Sequence, residues 1–286
     1  MYFCQNLQLY VLCHLCDMKK ILIAFCASVL LMFSCQGNYF GKADDFATDT
    51  VDSVKTGTEE TIPLAADELF DDFFFNFIAN RKLQLSRIDF PVKVYQGRKV
   101  DSIRQRKWKM DSFFMKQGYY TLMFNSRREM TAMKDTAVNK AIVEKIYLDK
   151  ALVKQFYFER ERGLWSLKKI RHTLLRENTN ASFLYFYRSF ANDTAFQLKS
   201  LCNPVRFVGP DPDDEFSQME GMIAKDTWLA FAPELPSKML YNIVYGTDQK
   251  VGDWKIFVVR GIANGLEMEL MFRRLNGKWH LYKLTT

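Results

Sequence analysis

Histidine and cysteine are scarce in this chain of 286 residues, three and six in number. A zinc centre built from them needs about four ligands brought close together. His172 and His280 stand far from each other, with no H-x-x-x-H spacing, so the body of the chain shows no metal-ligand pattern. Cys13-x-x-Cys16, with His14 between, has a redox-like or zinc-like spacing, but it lies in a segment with no scaffold to hold a site. Glycine and proline are also sparse, 13 and 7, which leaves no room for a long low-complexity tract. Gly-rich phosphate loops, nucleophile elbows and a Ser-His-Asp order are absent from the sequence. What is present is 48% hydrophobic, 26% charged and 15% aromatic, an aromatic-rich globular composition long enough for about two domains.

No apolar run is long enough to span a membrane. The longest uncharged one, Ile21 to Phe33, has 13 residues, short of the roughly 20 that a spanning helix requires. Lys19 and Lys20 precede it and Ser34-Cys35 follows it, the order of a secretory signal. Met32-Phe33-Ser34-Cys35 resembles the lipobox of bacterial lipoproteins, although Leu usually stands at the place of Met32 and a small residue at that of Phe33. That resemblance implies cleavage before Cys35, lipidation of its thiol, and a membrane-anchored chain in the cell envelope, periplasmic or at the outer-membrane surface. Met18 is then the expected start, residues 1–35 are the signal region, and of the six cysteines only Cys35 and Cys202 reach the mature chain. With Cys35 acylated, Cys202 has no disulfide partner even in an oxidising compartment.

Residues 36–68 carry eight acids against Lys42 and Lys55, with few large apolar side chains. Such a stretch cannot bury enough surface to offset its ordering entropy and is expected to be a disordered tether. Beyond it the sequence repeats. At an offset of 113, Phe70, Phe73, Phe77, Gln84, Leu85, Pro91 and Val92 recur as Phe183, Phe186, Phe190, Gln197, Leu198, Pro204 and Val205. At an offset of 114, Phe158, Arg160, Gly163, Trp165, Leu167 and Lys169 recur as Phe272, Arg274, Gly277, Trp279, Leu281 and Lys283. These 13 identities in 35 positions compare with roughly two expected by chance at average composition, so the two halves are copies of one unit.

Each copy opens with a helical stripe. Leu69, Phe70, Phe73, Phe74, Phe77 and Ile78 share one face, as do Phe183, Leu184, Tyr187, Phe190 and Ala191, behind the cap candidates Thr179 and Asn180. Each closes with alternating strands, over 152–159 and 266–273, followed by the turn dipeptides Arg162-Gly163 and Asn276-Gly277. A helix in front of an antiparallel sheet predicts an α+β architecture. Helix first, a Pro-Val strand entry and a final hairpin F-x-R-x-x-G-x-W-x-L-x-K together resemble the cone-shaped nuclear-transport-factor-two-like (NTF2-like, cystatin-like) fold. Two such units behind a lipobox resemble a family of lipoproteins of gut Gram-negative bacteria. The resemblance covers about residues 66–286 and implies two tandem cones of helix plus curved antiparallel sheet, at 69–172 and 180–286, each with a pocket between helix and sheet. It carries over no catalytic residue and no cofactor. For the envelope of such bacteria it also implies O-glycosylation at Asp-[Ser/Thr]-apolar motifs, with Thr50 and Ser53 in the tether the best placed of five.

Charge separates the copies. Residues 69–172 hold 23 Lys and Arg against 11 Asp and Glu, whereas 173–286 hold 13 of each. Arg98, Lys99, Arg104, Arg106, Lys107 and Lys109 concentrate the basicity and form a candidate anion-binding face. Export directs that face to an anionic envelope glycan, a lipid phosphate or an acidic protein rather than to nucleic acid. Asp111 and Asp226, in the comparable-looking Asp-Ser-Phe and Asp-Thr-Trp, could each place a carboxylate in a cone as a general base, or act as turn residues. Asp211, Asp213, Asp214 and Glu215 lack the glycine of a calcium loop and read as a solvated turn. The expectation is a binding or scaffold module of the cell envelope. An enzyme using a pocket carboxylate and a purely structural interaction protein are the alternatives.

Overall fold

The structure is a computed structural model and describes residues 67–286 apart from 215 and 247–250. The segment expected to be a signal, with Cys35, and Thr50 and Ser53, lie outside the described residues, and no helix among those described is long and apolar enough to cross a membrane. Asp67, expected at the end of the tether, is buried: its carboxylate pairs with Arg87 at 2.8 Å and faces the Trp165 backbone N–H. Asp67, two residues before the apolar stripe, therefore belongs to the folded body.

In the first half, helices α1 (Phe70–Ala79) and α2 (Arg81–Ser86) precede strands β1 (Ile88–Gln96), β2 (Lys99–Ile103) and β3 (Tyr119–Phe124). The one-turn α3 (Arg127–Met130) leads to β4 (Lys140–Tyr147), β5 (Leu152–Glu161) and β6 (Leu164–Leu174). In the second half, α4 (Ala181–Asn192) and α5 (Thr194–Lys199) precede β7 (Leu201–Pro210) and β8 (Gln218–Ile223). The one-turn α6 (Trp228–Phe231) leads to β9 (Met239–Tyr245), β10 (Trp254–Gly261), β11 (Glu267–Leu275) and β12 (Lys278–Thr285). Asn80 and Asp193 break each helix pair at the same place. Both are extended, and each caps the following short helix by accepting a backbone N–H, from Leu83 at 3.1 Å and from Phe196 at 3.0 Å. The hairpin residues Arg162-Gly163 and Asn276-Gly277 take φ of 51°, 81°, 48° and 78°, the left-handed pair that a two-residue turn between twisted strands requires.

The repeated identities are the contacts of two matching cores. Phe70 meets Trp165 edge-on at 4.9 Å and Phe183 meets Trp279 at 5.5 Å, while Phe77 on Phe158 and Phe190 on Phe272 both stand near 5.3 Å and perpendicular. The repeated glutamines are buried latches. Gln84 donates to the Phe77 carbonyl and accepts from the Trp108 indole, and Gln197 does the same with Phe190 and Trp228. Trp108 and Trp228 thus correspond, so Asp226, two residues before its tryptophan, does not correspond to Asp111, three residues after its own. The expected equivalence of the two aspartates is corrected accordingly.

The two cones are not built from contiguous chain. One sheet runs β2-β1-β6-β5-β4-β9 and the other β8-β7-β12-β11-β10-β3. Each copy gives its third strand to the sheet of the other: β9 pairs antiparallel with β4, with Tyr241 opposite Lys145, and β3 with β10, with Thr121 opposite Val259. The hydrophobic cores interlock as a result. Ile256 and Val258 of the second half pack in the core of the first, and Ile146, Leu148 and Val153 of the first half pack in that of the second. Side chains stitch β3 to β9 where the sheets meet: the Thr121 hydroxyl bonds both the carbonyl and the N–H of Tyr241, and the Asn242 carbonyl oxygen accepts the Met123 N–H.

Buried charge collects along this seam. Glu144 accepts from the amides of Gln155 (2.9 Å), Asn178 (2.7 Å) and Asn242 (3.0 Å). Lys255, 4% exposed, donates to Asn125 and Asn180. Asn180 was expected to cap α4. It stands at the cap position with no capping bond, because its oxygen is committed to Lys255. Desolvation lowers the Lys255 pKa to about 8, against a smaller opposing pull from Glu129 and Glu144.

Two outcomes follow from the seam. A fragment ending near residue 176 leaves the β4 edge without β9 and its own β3 without β10, so it should be unfolded or aggregated by circular dichroism, and should recover structure when co-expressed with the remainder. For Lys255, below pH 8 both folded and unfolded chains carry the charge and its burial weakens the fold. Between pH 8 and about 10.4 only the unfolded chain binds the proton, so the fold gains stability as pH rises. Urea unfolding at pH 7.5 and 10.5 should show this gain, on the order of 3 kcal/mol, in the native protein and not in Lys255→Met.

Candidate functional site: the mouth of the first cone

Strand alternation decides which side chains enter a cone. In the first sheet a single cross-strand row on the inner face reads Tyr241, Lys145, Lys154, His172 and Gln96, each directly opposite the next on β9, β4, β5, β6 and β1. Three basic residues therefore stand side by side at the open end of the first cone, where like groups in cross-strand contact repel. One carboxylate offsets them: the Lys145 ammonium lies 2.6 Å from Asp111 Oδ1 and 4.6 Å from the centre of the Phe113 ring. Gln84 holds Asp111 in place by bonding its backbone N–H and carbonyl, both at 3.0 Å, and Asp111 in turn accepts the Phe113 N–H at 2.9 Å.

Lys154 and His172 have no hydrogen-bond or ion-pair partner among the described residues. The Lys154 ammonium rests 4.6 Å above the Phe156 ring. Burial lowers its pKa, with Asp111 opposing and Lys145 adding to the shift. His172 is likewise lowered, first by burial and then by Lys154. Burial raises the phenols of Tyr147 and Tyr241, and Asp111 reinforces both shifts. A groove of about 220 Å³ opens here, lined by Tyr147, Lys150, Leu152, Val153, Lys154 and His172. A second cavity of about 210 Å³ lies on the opposite face of the sheet beside Glu144, but that carboxylate is already tied to three amides.

The duplication supplies an internal comparison. At an offset of 114, Lys145 becomes Val259, Lys154 becomes Met268 and His172 becomes Thr286. Val259 and Met268 are buried in the core of the second cone. The fold is satisfied by apolar side chains at these positions, so the cations of the first cone are not needed for folding.

Of the residues singled out from sequence, Asp111 is at this mouth and His172 lines it. Asp226 is exposed, and His280 lies opposite Arg273 in the second sheet. The basic residues fall in two exposed groups at the two ends of edge strand β2. Arg98 and Lys99 sit at the hairpin tip, with Lys99 paired to Asp101 at 3.0 Å, and Arg104, Arg106, Lys107 and Lys109 lie around the turn Gln105–Lys107, roughly 17 Å along the strand. Asp211 and Asp214 accept backbone N–H groups of their own turn. Lys145 and Lys154 were missed by sequence reasoning. The signal was a lysine at an inward position of an alternating strand where the other copy carries Val or Met.

Among solved structures, an NTF2-like protein from Bacteroides fragilis NCTC 9343 is 40% identical, with a TM-score of 0.70, over 77% of this chain and 96% of that one. The likeness agrees with the two-cone α+β architecture. No curated protein matches the chain. Residues 48–286 match the family described as Domain of unknown function (DUF4348), and the chain belongs to that family of NTF2-like fold.

Proposed function

We propose that this protein is a lipid-anchored component of the cell envelope that acts as a ligand-binding module, with the mouth of the first cone as its binding site. The observation that carries the reading is the contrast between the row Lys145, Lys154, His172 and its counterpart Val259, Met268, Thr286 in the same fold. Partly buried cations without partners weaken a fold, and a protein retains such groups where function requires them. Binding is favoured over catalysis because Asp111, the carboxylate at the mouth, is engaged by Lys145 and by the Phe113 N–H, which leaves it poorly placed to take a proton from a substrate. A purely structural role is disfavoured by the open groove. The basic groups at both ends of β2 are suited to an anionic envelope glycan, lipid or acidic protein, and Thr50 and Ser53 are the proposed O-glycosylation sites.

Two measurements test this reading. Lipid anchoring rests on more than one acyl chain, since one chain alone binds marginally, so Cys35→Ala should move the protein from the membrane fraction to the soluble fraction. Retention in the membrane would overturn the anchor. Lys154→Met places at the mouth the residue that the second cone carries. It should fold and be more stable than the native protein by on the order of 1 kcal/mol in thermal unfolding, while losing ligand binding. A less stable variant would make Lys154 a structural residue.

A further inference from the structure

Resting on the assignment of the first-cone mouth as a binding site, we infer that its ligand is a small organic anion, with a carboxylate or phosphate head held between Lys154, His172 and Lys150 and a short apolar body against Tyr147 and Leu152. The charge balance carries this. Lys150, Lys154 and His172 line the groove, Lys145 stands directly opposite Lys154, and the carboxylate beside them, Asp111, is already within 2.6 Å of Lys145. A ligand cation would add a further like charge to the row, and a neutral ligand would leave the Lys154 ammonium partly desolvated and unpaired. An anion supplies the missing partner, in a site whose partial burial strengthens the attraction beyond that of a surface lysine.

The geometry fits such a head group. Lys154 and His172 are direct cross-strand neighbours that both line the groove, close enough to share one anion, and Lys150 approaches from the β4–β5 turn, where its ammonium lies 5.6 Å from the Tyr147 ring centre. The Leu152 side chain and the Tyr147 ring complete the lining with apolar surface. A slender acid with one charged end satisfies both halves of the groove.

The test uses three probes with the same ring and different charge: benzoate, benzyl alcohol and benzylamine, with inorganic phosphate as a bare anionic head. Each is titrated into the full-length protein while the His172 imidazole is followed by NMR. Benzoate should bind and raise the His172 pKa, because an anion beside the imidazole favours its protonated form against burial and the opposing charge of Lys154. Binding should weaken at least tenfold in Lys154→Met. Phosphate binding comparable to benzoate would identify the head as sufficient, and much weaker binding would show that the apolar wall contributes; both accord with an anion site. Equal or tighter binding of benzyl alcohol or benzylamine at the same resonances would overturn the anion assignment and leave the mouth as the binding site. Failure of all four probes to perturb His172 would overturn the assignment together with the reading beneath it.

Discussion

Neither sheet of this protein can be completed by its own copy. A strand edge left open in mid-sheet exposes a ladder of unpaired backbone groups and the apolar faces on either side. Here β4 and β10 are each closed by a strand from the other half. Most other features of the fold follow from that exchange. It sets residues of each half into the core of the other, brings β3 and β9 close enough for Thr121 and Asn242 to bond the opposite backbone, and leaves the charged side chains of Glu144 and Lys255 buried along the seam. Such polar groups are costly unless satisfied, and amides from the inter-copy connection, Asn178 and Asn180, help to satisfy them. The connection between copies is therefore part of the core rather than a linker.

The sequence made the repeat, the helices and the closing hairpins legible because those features are local or rest on large aromatic side chains. Phe70, Phe158 and Trp165 recur as Phe183, Phe272 and Trp279 since each set forms one packed cluster. The Asn276-Gly277 turn could be read because backbone sterics alone demand it. The exchange of β3 and β9 was not legible. Residues 119–124 and 239–245 are strongly apolar strands of the same character, and nothing in a strand's own composition says which of two equivalent edges it pairs with. The aspartate pairing failed for a related reason. Asp111-Ser112-Phe113 and Asp226-Thr227-Trp228 look alike, but the anchor in each copy is the tryptophan held by the glutamine, and the two aspartates stand on different sides of it. Lys145 and Lys154 escaped notice because a lone lysine on a strand normally reads as solvent-facing. Only the comparison with Val259 and Met268 shows that these positions point inward.

The two cones have the same fold and matching aromatic cores, but they differ along one row at the mouth. At matching places the second is filled by valine and methionine while the first carries two lysines and a histidine around one aspartate. A duplicated unit that had to fold alone would keep both interiors apolar, because each desolvated cation weakens its cone. The interlocked cores relax that requirement for one member of the pair, since the second half contributes Tyr241, Ile243, Ile256 and Val258 to the core of the first.

That contribution reaches the proposed site itself. Tyr241, carried by β9, stands at the end of the basic row, opposite Lys145, and its ring centre lies 5.7 Å from the Lys145 ammonium. Together with Phe113 and Phe156 it surrounds that ammonium with three aromatic faces, an arrangement that stabilises a cation electrostatically while excluding water. The Lys145–Asp111 pair is thus fixed by a residue of the other copy, and Lys154 faces the groove with no ion-pair partner among the described residues. The strand exchange that completes the sheet also makes the first cone's mouth a product of both halves of the chain, with the second half providing the support and the first the charge.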